Sequence, residues 1–215
     1  MQIPQQVRTM TSHFDYSMIW TFLQDKGQEL FDKGFRLFPE DQETILKLIA
    51  WFIKDEETAK KSSVSLDKGI LLVGPVGCGK TALMNSCRFL LKAEERHIMK
   101  PCREVTLEFI NNGYDIFHRY TKGSFSPHGY IPKTYCFDDL GLENVMNYYG
   151  NQCSVMGEIL LSRYDLFHSN TMLTHITTNL NSDEIEERYG DRVRSRCREL
   201  FNLIVFDKSA KDKRR

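Results

Sequence analysis

Eight consecutive residues, Gly74-Pro75-Val76-Gly77-Cys78-Gly79-Lys80-Thr81, hold the densest chemistry in the chain. They follow an apolar run, Gly69-Ile70-Leu71-Leu72-Val73, and precede the helix-compatible Ala82-Leu83-Met84-Asn85. That is the strand, loop and helix context in which G-x-x-x-x-G-K-[ST] binds phosphates. The glycines let successive backbone N–H groups turn inward around the α- and β-phosphates, and the helix N-terminus adds its partial positive charge. Lys80 is placed to reach the β- and γ-phosphates, and Thr81 to offer a hydroxyl to Mg²⁺. Gly74, Pro75, Val76, Gly77, Cys78, Gly79, Lys80, Thr81 and Ala82 are therefore the expected nucleotide contacts, with ATP and Mg²⁺ as ligands. A glycine-rich turn that merely imitates the motif is the competing reading, and the full match after an apolar strand weighs against it.

A metal-assisted hydrolysis of the γ-phosphate also needs acids. Tyr135-Cys136-Phe137-Asp138-Asp139 ends an apolar run, where Asp138 can hold the metal through water and Asp139 can orient and polarise the attacking water. Glu143 is a rival for the second role, and Asp139 as a mere turn cap is the structural alternative. A later run ends in Thr177-Thr178-Asn179. If that strand lies between the first and third, Asn179 can hydrogen-bond the water or phosphate; otherwise it caps the next helix, a role open equally to Asn181 or Ser182. Next comes Tyr189-Gly190-Asp191-Arg192-Val193-Arg194-Ser195-Arg196-Cys197-Arg198. At helical spacing Arg192 and Arg196 share a face, and a guanidinium offered in trans would neutralise charge at a neighbouring γ-phosphate. A solvated face paired with Asp183, Glu184, Glu186 and Glu187 is the plain alternative.

The elements that must position these groups read as an α/β fold. Of 215 residues, 29 are Lys or Arg and 29 Asp or Glu, so bulk positive charge is excluded as a means of binding nucleic acid. A hydrophobic content of 41% supplies one sizeable core. The six cysteines show no metal-ligand spacing and predict buried thiols in a reducing compartment. With no signal-peptide or membrane-length apolar run, the expectation is a soluble, cytoplasmic protein. Five apolar runs predict buried strands, at 69–73, 104–107, 134–137, 173–177 and 203–206, separated by helix-length segments. Val155, Met156, Ile159, Leu160, Tyr164 and Phe167 form a helical stripe that covers the sheet. The first 60 residues read as mostly helical, joined to the rest by a polar hinge at Lys60 to Ser65.

Taken together, GPVGCGKT, CFDDLG, ITTN and YGDRVRSR before a last apolar strand resemble the AAA+ ATPases of the bacterial replicative helicase loader group, DnaC and DnaI, and the related transposition helper IstB. The resemblance spans roughly residues 66 to 207, and Y-G-x-R-V-x-S-R is its specific part. It implies a P-loop NTPase of the AAA+/ASCE type, with a five-stranded parallel sheet sandwiched by helices. It also implies Gly74 to Thr81 as Walker A, Asp138 and Asp139 as Walker B, Asn179 as sensor 1, and Arg196, with Arg192 second, as a trans arginine finger in a homo-oligomeric ring or spiral. The expected division is a helical segment at 1–63, an ATPase core at 64–207 and a basic tail at 208–215. Too little chain follows the core for the helical lid of larger AAA+ proteins, and Arg214 is a candidate rudimentary sensor 2.

Between residues 111 and 132 aromatic and basic side chains interleave. Tyr114, Phe117, Arg119, Tyr120 and Lys122 are candidates for stacking and neutralising single-stranded DNA, against the alternative of an amphipathic packing helix. The expected activity is Mg-dependent ATP hydrolysis, in a DNA replication protein that assembles on single-stranded DNA and helps load a replicative helicase. The alternatives are an IstB-like transposition helper, with a transposase as protein partner, and a nucleotide-gated binding module with little turnover. A small-molecule kinase is disfavoured because it would need a mobile Arg-rich lid in place of the paired acids and Thr178-Asn179.

Overall fold

The computed structural model describes residues 14–127, 131–143, 146–148 and 151–213. The helices are α1 (Tyr16–Leu30), α2 (Gln42–Phe52), α3 (Glu56–Lys61), α4 (Lys80–Cys87), α5 (Cys102–Asn112), α6 (Asp115–Tyr120), α7 (Val155–Asn170), α8 (Ser182–Tyr189) and α9 (Asp191–Leu200). The strands are β1 (Gly69–Val73), β2 (Ile98–Pro101), β3 (Tyr135–Leu140), β4 (Met146–Tyr148), β5 (Asn151–Cys153), β6 (Thr174–Thr178) and β7 (Phe201–Val205). Five of them form one parallel sheet in the order β2-β3-β6-β1-β7, and β4 pairs with β5 as a separate antiparallel ribbon. This is the expected α/β architecture, with β6 between the strands that carry the acids and the phosphate loop.

Strand alternation divides the core between the two faces of the sheet. Ile70, Leu72, Cys136 and Ile204 pack with α1, α2 and α4, whereas Leu71, Tyr135, Phe137 and Ile176 pack with α5, α7 and α9. The N-terminal helices are thus part of the same hydrophobic unit as the sheet. Ile19 and Leu23 of α1 and Leu48, Ile49 and Phe52 of α2 are buried on one face each. The polar run expected to act as a hinge is pinned instead. Asn202 accepts from the Ser65 amide at 2.7 Å and donates to the carbonyls of Ser65 at 2.8 Å and Gly69 at 3.0 Å, and Trp51 donates to the Lys68 carbonyl at 2.8 Å.

One expected strand is a helix. Residues 104–107 lie inside α5, because Val105 and Thr106 are buried together with Cys102 and Phe109 at helical, not alternating, spacing. The second strand is Ile98–Pro101, at the sheet edge, where a proline costs no ladder bond. Within the α7 stripe sits Arg163, fully buried, donating to Thr174 Oγ1 at 2.7 Å and to the carbonyls of Tyr120 at 2.8 Å and Leu173 at 2.7 Å. It fastens α7 to β6 and to the end of α6.

His97 and His175 lie against Trp51 and Phe52, with their own rings 5.1 Å apart. Burial holds His97 neutral, its pKa pushed down to about 3, and lowers His175 as well. Below about pH 6.5 the unfolded chain binds protons that the folded chain does not, so stability falls as pH falls. Between pH 7.5 and 5.5 the loss is on the order of 1 kcal/mol per histidine. Denaturant midpoints at those two pH values should show it, and His97→Phe should remove about half of the dependence. A midpoint flat over that range would disprove it.

Candidate functional site: a phosphate loop beside two acids

The phosphate loop leaves β1 at Gly74, whose amide donates to the Thr178 carbonyl at 3.2 Å and so ties the loop to the end of β6. Gly79 is the residue before α4 and has φ +99°, in the left-handed region where a Cβ is disfavoured; no atom lies within 4 Å of where that Cβ would stand. Gly79 has no side chain with which to cap α4, and the Asp212 carboxylate lies against the loop at Gly77. Lys80 is buried and folds back on its own loop, donating to the carbonyls of Gly74 at 2.8 Å and Pro75 at 2.9 Å. Val76 is exposed and Cys78 buried.

From the C-terminal side, the Lys213 amide donates to the Gly77 carbonyl at 3.0 Å and its ammonium to the Cys78 carbonyl at 3.1 Å; the same ammonium pairs with Asp41, just before α2. The end of the chain therefore backs the loop on its carbonyl side. Arg214, the sensor 2 candidate, lies outside the described residues.

Thr81 donates its hydroxyl to the Asp138 carboxylate, 3.0 and 3.1 Å from the two oxygens. The hydroxyl and carboxylate expected to serve Mg²⁺ are thus adjacent at the mouth of the loop, an oxygen-only pair that fits a hard cation also held by phosphates. Asp138 is mostly buried. Burial raises its pKa and the Asp139 charge adds to the rise, while hydroxyl donation from Thr177 and Thr81 and the charge of Lys80 oppose it.

Thr177 joins the two acids: it donates to Asp138 Oδ1 at 2.6 Å and accepts from the Asp139 amide at 2.9 Å. Sequence reasoning passed over this residue, whose signal was a hydroxyl on a strand that is buried on both faces. Asp139 has φ +55°, where the β3–β6 register shifts between Phe137 and Leu140. A non-glycine residue there is uncommon, and aspartate is among the types that tolerate it. Asp139 is half-buried, and among the described residues its carboxylate takes no hydrogen bond or ion pair. Glu143 is already engaged: it is buried, one carboxylate oxygen accepts from the Gly141 amide at 2.9 Å and the other from the Tyr189 hydroxyl.

Asn179 is exposed directly after Thr178, which accepts from Gly74 on one side and donates to the Leu140 carbonyl at 2.6 Å on the other. Asn181 fills the helix cap, with a reciprocal bond to Glu184, so Asn179 is free of that duty. On α9, Arg194 is held by Ser182, Asp183 and Glu186. Arg196 lies over the Tyr164 ring at 4.2 Å and bonds the Tyr164 hydroxyl at 3.0 Å and Glu199 at 3.2 Å. Arg192 is exposed and makes no ion pair among the described residues.

The aromatic and basic segment divides. Tyr120 belongs to the core, 3% exposed, bonded to Glu108 and edge-on to Tyr135, so it offers no face to a base. Phe117 is half-buried between Phe109 and Tyr114. Tyr114, Arg119 and Lys122 are exposed, and Arg119 pairs with Glu108 at 3.1 Å. Among the described residues no helix is long and apolar enough to cross a membrane, and no three His, Cys, Asp or Glu side chains cluster as a metal site.

No family model and no curated protein matches the chain in sequence. Its fold matches solved structures. A protein described as a primosome component of Streptococcus pyogenes serotype M3 superposes with a TM-score of 0.55 at 17% identity, over 81% of this chain and 83% of that one. DnaI gives 0.50 at 20% identity, over 78% and 81%. Domain III of the Thermotoga maritima replication initiation protein DnaA gives 0.50 at 15% identity, over 81% and 65%. With the Gly74–Thr81 loop after β1 and the paired acids two strands away across β6, the chain shares the α/β fold of these solved structures.

Proposed function

We propose that this protein is an ATP-hydrolysing AAA+ protein of DNA replication that assembles on single-stranded DNA and helps to load a replicative helicase. The observation that carries the reading is the run Thr81, Asp138, Thr177 and Asp139, bonded in series beside the Gly74–Thr81 loop. Lys80 exchanges its two neutral carbonyl partners for phosphate oxygens, a stronger, charge-assisted bond. When bound, Mg²⁺ held by Thr81 and Asp138 supplies positive charge against the phosphate oxygens. Asp139, whose carboxylate has no partner among the described residues, orients and polarises water, and Asn179 bonds that water or the γ-phosphate. Arg196, with Arg192 on the same helix, reaches the site of a neighbouring copy. Tyr114, Arg119 and Lys122 are the surface offered to single-stranded DNA, with Phe117 packed beneath them.

The test is steady-state ATP hydrolysis against protein concentration, with and without single-stranded DNA. Turnover per protomer should rise with both. Turnover indifferent to concentration and DNA sinks the loader reading and favours a passive nucleotide switch.

A further inference from the structure

Behind the two acids, a buried carboxylate ties two distant segments together. After Asp139 the chain turns through Gly141, whose amide donates to Glu143 Oε2 at 2.9 Å. The other oxygen of Glu143 accepts from the hydroxyl of Tyr189, and the Glu143 carbonyl accepts from the Arg188 guanidinium. Tyr189 is the last residue of α8, and Gly190, with φ +89°, is the single residue between α8 and the arginine-bearing α9. Gly190 itself is bonded on both sides, its amide to Glu186 and its carbonyl to the Arg194 amide at 3.2 Å.

An apolar pair would pack this seam without burying a charge, so the polar link needs a purpose beyond cohesion. We infer that Glu143 and Tyr189 are positioning residues that couple the backbone of the catalytic acids to the orientation of α9. In this arrangement the nucleotide in one protomer's site governs how that protomer offers Arg192 and Arg196 to its neighbour. The element able to change is at hand: Asp139 holds an uncommon positive φ at a register shift, two residues before the amide that Glu143 grips. A change of backbone there on engaging a γ-phosphate moves Gly141, and through Glu143 the hydroxyl of Tyr189. Burial and the charge of Glu143 push the Tyr189 phenol far above its ordinary range, so it stays a donor at any physiological pH.

The inference rests on the nucleotide reading above, and the test separates the two. Hydrogen exchange of the full-length chain is followed with Mg²⁺ and either ADP or ATPγS, in wild type, Tyr189→Phe and Glu143→Gln, with nucleotide affinity measured in parallel. In wild type, ATPγS should slow exchange across 189–198 by about threefold relative to ADP. Both variants should lose that remote protection, keep their affinity within about twofold, and lower kcat with KM unchanged. ATPγS that binds wild type without protecting 189–198, or protection that persists in Tyr189→Phe, overturns the link. If wild type binds neither nucleotide, the underlying reading falls and the link falls with it.

Discussion

Replacing Asp139 with asparagine should lower ATP turnover by about 10²- to 10³-fold and leave nucleotide affinity nearly unchanged. Asp138 and Asp139 are adjacent in sequence but differ in surroundings. Asp138 is buried and takes hydroxyl donation from Thr81 and Thr177, so removing its charge also disturbs the loop. Asp139 is held through its backbone, its amide donating to Thr177 and its carbonyl accepting from the Leu142 amide, and its carboxylate is not spoken for by any described residue. Asparagine tolerates the same left-handed backbone, so Asp139→Asn removes the base without straining β3. Lys80→Ala should behave in the opposite way. It forfeits a charge-assisted phosphate contact of about 3 kcal/mol, so affinity for ATP falls by about 10²-fold. Nucleotide titration followed by single-turnover hydrolysis separates the two outcomes. Asp139→Asn with wild-type turnover would show that another group activates the water.

The fold was legible where burial imposes a simple pattern. β1, β3 and β6 are interior strands buried along most of their length, and they read as short segments of apolar and β-branched residues; β7 lies at the sheet edge with Leu203 and Val205 exposed, and reads as a strand from its apolar residues alone. β2 was missed because it is a four-residue edge strand, Ile98–Pro101, with no fully buried residue and a lysine and a proline in it, whereas the β-branched Val105 and Thr106 imitate a strand inside α5. The phosphate loop was legible for a different reason: its chemistry is local, all in eight residues and their backbone. Contacts made over long sequence separation were not. Nothing near Thr177 announces that it joins two acids about forty residues upstream, and nothing near Glu143 distinguishes a base from a carboxylate bonded to Tyr189. Tyr120 shows the same limit, since an aromatic beside Arg119 looks like a stacking platform until β3 is packed against it.

Arg196→Ala should cost about 10³-fold in turnover, and mixing it with an equal amount of Asp139→Asn should restore about a quarter of wild-type activity. The argument is one of counting. Each variant alone is inactive at every site, one lacking the finger and the other the base. In a mixed assembly, a site that takes its base from an Arg196→Ala protomer and its finger from an Asp139→Asn neighbour is intact, and random mixing makes about one site in four of this kind. An arginine that acted within its own chain would give no restoration. In the isolated chain Arg196 rests on Tyr164 and Glu199, so reaching a neighbour requires it to leave a ring contact and an exposed ion pair, a small cost beside the charge it would meet. Arg192, one turn earlier and without a partner among the described residues, needs no such release. The same mixing experiment with Arg192→Ala therefore ranks the two: the arginine whose loss is large alone and rescued in the mixture is the one that completes the neighbouring site.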